Sequence, residues 1–453
     1  MNTPICDFVR GYAEKRPVRF HMPGHKGKGD SIGFGFHELD ITEIGGADVL
    51  YDSNGVIRES EENAAQIFGS ARTVYSTEGS SLCIRAMIYL AVMHAKMKGQ
   101  SLRIAAGRNA HRVFLETAAL LNVDVSWLGT GDELLRCRVT QDELECMFQD
   151  RETAPTAVYL TSPDYLGHCT DLRSIAEVCR KNGALLLVDN AHGAYLKFLE
   201  ESRHPLDCGA DLCCDSAHKT LPVLTGGAYL HASYGCPGEL LTMMERTMAL
   251  FASTSPSWLI LQSLDGMNAR LGEDYPVRIR ETAKLLQKTK QRLKTAGWEL
   301  TGDEALKLTL RPKKRGYTGT ELGDCLKEKE IVCEFADPDD LVLMVTPEIG
   351  EAELALLEAA LQELPAREPI LAQPPQPCTV KQVLSPHEVL FRPFERIPTE
   401  NSLGKILASP SVSCPPAVPI VICGERIDEQ ALALFQYYGI EYCDVVKQPE
   451  SPA

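Results

Sequence analysis

No apolar run in the chain approaches the roughly 20 residues that a membrane-spanning helix needs, so no membrane partner is expected. Basic residues are in deficit: 46 Lys and Arg against 62 Asp and Glu leave a net charge of -16, with the acids spread along the whole length. That balance disfavours attraction to a phosphate backbone, and no nucleic-acid partner is expected. No two of the 16 cysteines stand in Cys-x-x-Cys spacing, and Cys213 and Cys214 are simply adjacent in an apolar stretch. Buried reduced thiols are therefore expected rather than a metal site or a disulfide framework. The first sixteen residues lack the basic, apolar and small-residue layout of a signal peptide, which leaves the cytoplasm as the expected compartment. There is no internal repeat at a fixed period. What is present is an ordinary globular composition, 44% hydrophobic and 24% charged over 453 residues. At roughly 100 to 200 residues per domain, that length holds two to four domains with ample core.

From about residue 70 to 232, short β-rich runs alternate with helical patterns, the signature of βαβ units and a mainly parallel sheet. Strands are expected at 102–105, 157–161, 184–189, 211–215 and 227–231. The run Ala-Leu-Leu-Leu-Val at 184–188 reads as a strand buried on both faces. Between strands, 171–182 reads as a helix with Ile175, Val178 and Cys179 on one face and Asn182-Gly183 as its stop. A long amphipathic helix over 274–293 leads to strands at 306–310 and 341–345 and helices at 319–328 and 350–364, a smaller α+β domain. Five prolines between 365 and 377 mark a linker, and a last unit ends in a strand at 418–423 and a helix at 428–438. The expected layout is an arm (1–30), a large α/β domain (31–268), a small α+β domain (269–365), a Pro-rich linker (366–380) and a small carboxyl-terminal α/β domain (381–453).

Ser216-Ala-His-Lys219 follows directly on the strand expected at 211–215. A lysine held in a strand-end turn between a hydroxyl and an imidazole is well placed to condense with an aldehyde. Asp189 ends the strand before it, and in an open α/β sheet both residues lie at the carboxyl ends of strands, where ligands bind. Thr77-Glu-Gly-Ser-Ser81 opens a helix expected over 82–97; Gly79 permits close backbone approach, Ser80 and Ser81 offer hydroxyls, and the helix start offers free N–H groups, together a phosphate cradle. Each element alone has a plainer reading: a solvated lysine, a strand-end cap, a helix N-cap. In this order on one sheet they match what pyridoxal 5'-phosphate (PLP) requires, a lysine for the aldehyde and a carboxylate to keep the pyridine nitrogen protonated.

The chain also resembles the ornithine/lysine/arginine decarboxylase family over nearly its full length. The resemblance is carried by Arg19-Phe-His-Met-Pro-Gly-His-Lys-Gly27, Asp40-Ile-Thr-Glu43, Gly55-Val-Ile-Arg-Glu59, Arg108-Asn-Ala-His111, Thr161-Ser-Pro163, Asp189-Asn-Ala-His192, Ser216-Ala-His-Lys219-Thr-Leu-Pro222, Ser253-Thr-Ser-Pro-Ser257, Pro415-Pro-Ala-Val-Pro419 and Cys423-Gly-Glu425. It implies an aspartate-aminotransferase-like α/β fold, PLP fold type I, in the compact form without an amino-terminal regulatory domain. It implies that Lys219 forms the Schiff base, Asp189 pairs with the pyridine nitrogen, His111 stacks on the ring and His192 lies near its other contacts. Gly79, Ser80, Ser81, Ser216 and His218 would hold the phosphate, and Thr254 and Ser255 would reach the phosphate of a neighbouring subunit in a homodimer.

The reaction so implied is α-decarboxylation of an amino acid, its distal cation met by Glu425 or, failing that, Glu43. The rivals are transamination or another lyase step on the same scaffold, and a PLP-binding relative without activity. Departures from the family pattern stand at Glu78, where Asn is frequent, at Asn190, where an acid is frequent, at Gly226, where Gln is frequent, and at Cys414, Ala417 and Cys423 near the carboxyl terminus.

Overall fold

The computed structural model describes every residue except 29–32, 34, 130–135, 137, 151, 377–380, 410, 414–418 and 448–453. Cys414, Ala417 and most of the 415–419 motif, like the end of the Pro-rich linker, lie outside the described residues.

Seven strands carry the α/β part: β1 (Arg72–Ser76), β2 (Arg103–Gly107), β3 (Asp124–Leu128), β4 (Ala157–Thr161), β5 (Leu185–Asp189), β6 (Leu212–Asp215) and β7 (Ala228–Ala232). The chain divides into two compact units, Met1–Lys98 with Leu185–Arg280 and Gly99–Ala184 with Glu281–Ala453. Each unit is built from separated segments, because the chain leaves the first unit after β1 and its helix and returns at β5.

In the first unit the strand order is β1-β7-β6-β5. β5 and β6 run parallel, and β7 runs antiparallel to β6 and β1. Every residue of β5 and β6 is buried, which is why both are nearly continuous apolar runs closed by an aspartate. The helix Gly79–Met97 starts at the phosphate-cradle glycine itself, earlier than expected. β1 is absent from the sequence expectations because Arg72, Thr73 and Ser76 break its apolar pattern, yet Thr73 and Ser76 are buried and hydrogen-bonded inside. Phe68 anchors this core against Phe198, Tyr229 and His231, with ring centroids 4.6 to 5.5 Å apart.

In the second unit β4-β2-β3 are all parallel. The helix Leu172–Asn182 has the predicted ends: the Asp171 carboxylate accepts from the Ser174 N–H, and Gly183 stops it at φ +68°. β8 (Glu299–Thr301), β9 (Lys307–Arg311), β10 (Phe335–Ala336) and β11 (Leu341–Met344) form an antiparallel sheet in the order β10-β11-β9-β8. The helices Gly319–Lys327 and Glu351–Glu363 accompany it, over a core that includes Trp298, Tyr317, Leu308, Leu343 and Leu361. Towards the carboxyl terminus β12 (Phe394–Pro398) pairs with β15 (Tyr442–Val446) and β13 (Ser411–Ser413) with β14 (Pro419–Ile422). There the helix Glu429–Tyr437, capped by Asp428, packs Leu434 and Phe435 with Ile420, Val421 and Val445. Among the described residues no helix is long and apolar enough to cross a membrane.

Candidate active site

β5 and β6 end side by side, in a register that sets Asp189 opposite Cys214. The chain then turns through Ser216 into the short helical turn Ala217–Thr220, which carries the half-buried Lys219. The Lys219 Nζ lies 3.2 Å from Nε2 of the buried His192, which is three residues beyond Asp189 on the neighbouring loop. Asp189 is 2% exposed; its carboxylate accepts from the Ala191 N–H at 3.1 Å and lies 3.7 Å from the Cys214 thiol. A carboxylate so buried at a strand end is costly unless a cation or a proton meets it.

The phosphate-cradle candidates converge on the same turn. Ser216 Oγ donates to Ser80 Oγ at 2.8 Å, joining the lysine turn to the first turn of the helix Gly79–Met97, where Ser81 is half-buried. Gly79 takes φ +70°, and its N–H donates to the Gly226 carbonyl at 2.7 Å. Gly226 is itself at φ +101°, and a Cβ there would come within 2.8 Å of the Thr77 carbonyl oxygen. The backbone thus has no room for a glutamine at 226, and only glycine fits without strain. His218 Nδ1 is 3.0 Å from the Gly227 carbonyl, and burial lowers its pKa, with that hydrogen bond opposing.

Glu78, the acid in the cradle, has its Oε1 on the Ser253 backbone N–H at 2.8 Å. Its charge is thereby committed to the 253–255 segment, where the Ser255 N–H in turn donates to Ser253 Oγ. Thr254 and Ser255 are exposed. Glu43 is a surface residue whose carboxyl is partly desolvated, which raises its pKa above the ordinary value.

The second unit presents the other two candidates. His111 is the N-cap of the helix Arg112–Leu120, its Nδ1 accepting from the Val113 N–H at 3.2 Å. That bond leaves the ring proton on Nε2 of the neutral imidazole. Glu425 follows Gly424, which is at φ +89° and so close to the Leu384 carbonyl that a Cβ would lie 2.0 Å from its oxygen, so only glycine fits the turn. The tight turn delivers the carboxylate to Arg108 of the same unit: Oε1 and Oε2 accept from the two guanidinium nitrogens at 2.9 and 3.0 Å. Oε2 also accepts from the Ile422 N–H at 2.7 Å. Glu425 is 4% exposed and its charge is met by Arg108. Arg108 stands in the motif Arg108-Asn-Ala-His111, but nothing local in the sequence marks it as the partner of a residue more than 300 positions away.

Among the described residues one buried group, His204, Asp215 and His231, has metal-ligand composition. His204 Nδ1 accepts from the Leu206 N–H at 3.4 Å, which puts the ring proton on Nε2, and Nε2 lies 2.9 Å from the Asp215 carboxylate. A protonated nitrogen is a hydrogen-bond donor and not a metal ligand.

A mostly parallel α/β arrangement, with a lysine turn, a buried aspartate and a glycine-serine helix start at the carboxyl ends of its strands, is the aspartate-aminotransferase-like, fold type I class. Comparison with solved structures agrees: a lysine decarboxylase of Francisella novicida superposes with a TM-score of 0.79 at 15% identity, over 98% of this chain and 81% of that one. The profile described as "Orn/Lys/Arg decarboxylase, major domain" matches residues 3–310. An uncharacterised protein of Bacillus subtilis is 31% identical over 95% of this chain and 93% of its own length. An arginine decarboxylase of Halalkalibacterium halodurans is 29% identical over 95% and 92%. The chain belongs to the Orn/Lys/Arg decarboxylase family, and by that membership it is an amino acid decarboxylase.

Proposed function

We propose that this chain removes the α-carboxylate of a basic amino acid, lysine, arginine or ornithine, as CO2 and releases the amine, with PLP carried on Lys219. The observation that supports this most is the side-by-side ending of parallel strands β5 and β6, one in the buried Asp189 and the other in the Lys219 turn. When bound, PLP supplies an aldehyde for the substrate amine and a ring that accepts the electrons of the breaking Cα–carboxylate bond.

The residues fit that group. Gly79 keeps the helix start bare of side-chain bulk, with 4.0 Å from a Cβ there to the His218 ring, and Ser80 and Ser81 with the N–H groups of the helix start offer donors suited to a dianionic phosphate, Ser216 being bonded to Ser80 beside them; His218, whose Nδ1 is on the Gly227 carbonyl, would donate to a phosphate as the imidazolium. Asp189, nearly free of solvent, holds a proton at the pyridine nitrogen and so keeps the ring cationic. His192, 3.2 Å from Nζ, takes the proton that Lys219 must lose before its amine can form a bond. The family resemblance assigns the ring-stacking role to His111. Since Glu425 is held by Arg108, Glu43 becomes the first candidate to meet the distal cation, and Glu425 serves only if Arg108 releases it. Thr254 and Ser255, exposed on the single chain, are assigned to the phosphate site of a second copy in a homodimer.

The non-catalytic alternative draws on Glu78 and on the altered carboxyl-terminal motif, and the bond of the Glu78 carboxylate to the Ser253 N–H speaks against the first of these. The test is to incubate the purified protein and PLP with a panel of amino acids and measure CO2 and amine, then reduce with borohydride and map the label. Amine plus CO2 from a basic amino acid, with label on Lys219, is the expected result; a keto acid, or label on a different lysine, overturns it.

A further inference from the structure

Asp215 is the last residue of β6, directly before the Ser216-to-Lys219 turn, and it is completely buried. Its Oδ1 accepts from Asn190 Nδ2 at 2.7 Å, and its Oδ2 accepts from His204 Nε2 at 2.9 Å, with His231 Nε2 at 3.4 Å from the same oxygen. Burial opposes ionisation of the carboxyl, but the two histidines hold its pKa well below the carboxylate range. Asn190 directly follows Asp189, and its backbone is fixed as well: its N–H donates to the Cys214 carbonyl at 2.9 Å and its carbonyl accepts from the Gly193 N–H at 2.8 Å. His231 is in turn held by Thr73 of β1 at 2.7 Å. One carboxylate thus gathers side chains from the residue beside Asp189, from the turn that His204 caps and from β7, four residues ahead of Lys219.

We propose that Asp215 is a positioning residue: its carboxylate, bonded at once to Asn190 and His204, braces the ends of β5 and β6 and sets the separation of Asp189 from Lys219 across the cofactor. The backbone ladder alone does not do this, because past the last ladder pair, Asp189 with Cys214, it adds only the Asn190 N–H to Cys214 carbonyl bond and stops short of Asp215 and the Lys219 turn. Beyond that pair the Asn190 to Asp215 bond links the two strand ends through their side chains. Each amide or imidazole donor to an ionised acceptor is of the stronger kind of hydrogen bond. The proposal rests on the reading of Lys219 and Asp189 as the cofactor residues.

The test compares Asn190→Asp with the exchange Asn190→Asp/Asp215→Asn. In the single variant a carboxylate faces a carboxylate, and the bond between the strand ends is lost. In the exchange the carboxylate introduced at position 190 accepts from the amide introduced at position 215, whose oxygen accepts from His204, so the bond between the strand ends returns with donor and acceptor reversed. The single variant should bind PLP about tenfold more weakly, the loss expected for a bond to a charged group, and show reduced visible circular dichroism per bound cofactor; the exchange should recover most of both. A role confined to stability would lower the melting temperature and leave the dichroism per bound cofactor unchanged, and that outcome refutes the proposal. Wild-type affinity and dichroism in the single variant, or an exchange no better than the single variant, sinks it as well. If Asn190→Asp does not fold, Asn190→Ala, which keeps the His204 bond and removes only the brace, carries the same expectation and the same refutation. Borohydride labelling of the wild type reads the underlying assignment separately: absence of label on Lys219 defeats that assignment, whatever the variants do.

Discussion

Glu425 shows how far a residue's meaning depends on its neighbour. A carboxylate left to meet a substrate cation could lose its charge at the expense of substrate affinity alone. Glu425 instead makes a bidentate pair with Arg108, with side chains 6% and 13% exposed. Breaking one partner of a buried pair strands the other charge and costs about 3 to 5 kcal/mol. Glu425→Gln should therefore lower the stability of the cofactor-free protein by a figure near that range in urea unfolding. A rise in KM for a basic amino acid with stability unchanged would return Glu425 to the substrate role. The same logic separates the two histidines of the Asp-Asn-Ala-His and Arg-Asn-Ala-His motifs: His192 meets Lys219, whereas His111 is fixed through its own helix start.

At the scale of the element, the proposed phosphate cradle is made by one turn closing on another. The Gly79 N–H reaches the Gly226 carbonyl, and Gly226 can approach Thr77 so nearly only because it has no Cβ. Gly226→Ala combines a left-handed backbone with a 2.8 Å clash against a carbonyl oxygen, a strain of order 1 to 3 kcal/mol. Displacing the turn withdraws the carbonyl that orients the Gly79 N–H. The variant should melt at a lower temperature and bind PLP more weakly, measured by cofactor titration; unchanged affinity would show that the two turns are independent. Glu78 belongs to the same element and ties it to the Ser253 N–H, so the segment carrying Thr254 and Ser255 is anchored to the cradle of its own chain.

For the whole molecule the expected unit is a homodimer. Thr254 and Ser255 are exposed although the backbone around them is pinned by Glu78 and by Ser253 Oγ, a placement that suits a surface offered to a second copy. Light scattering at assay concentration should report twice the 49.9 kDa chain mass; a fully active monomer would contradict the assignment of those two residues.

Local chemistry makes much of this legible in advance. The strands β4 to β7 and the helix Leu172–Asn182 lie within about a residue of their expected places, because apolar runs, an N-cap aspartate and a stop glycine act over a few positions. Lys219, Asp189 and the Gly79–Ser81 start are readable for the same reason: each sits where a strand or helix visibly ends. β1 and β3 are not, since Arg72, Thr73, Asp124 and Ser126 interrupt the pattern that marks a buried strand. The tertiary structure alone decided the pairing of Glu425 with Arg108, the turning of Glu78 to Ser253 and the bonding of Asp215 to Asn190 and His204, with His231 beside it. The sequence determined which groups stand at the ends of the strands; which charge each group answers depends on residues brought near it from as far as 317 positions away, and no local pattern encodes that.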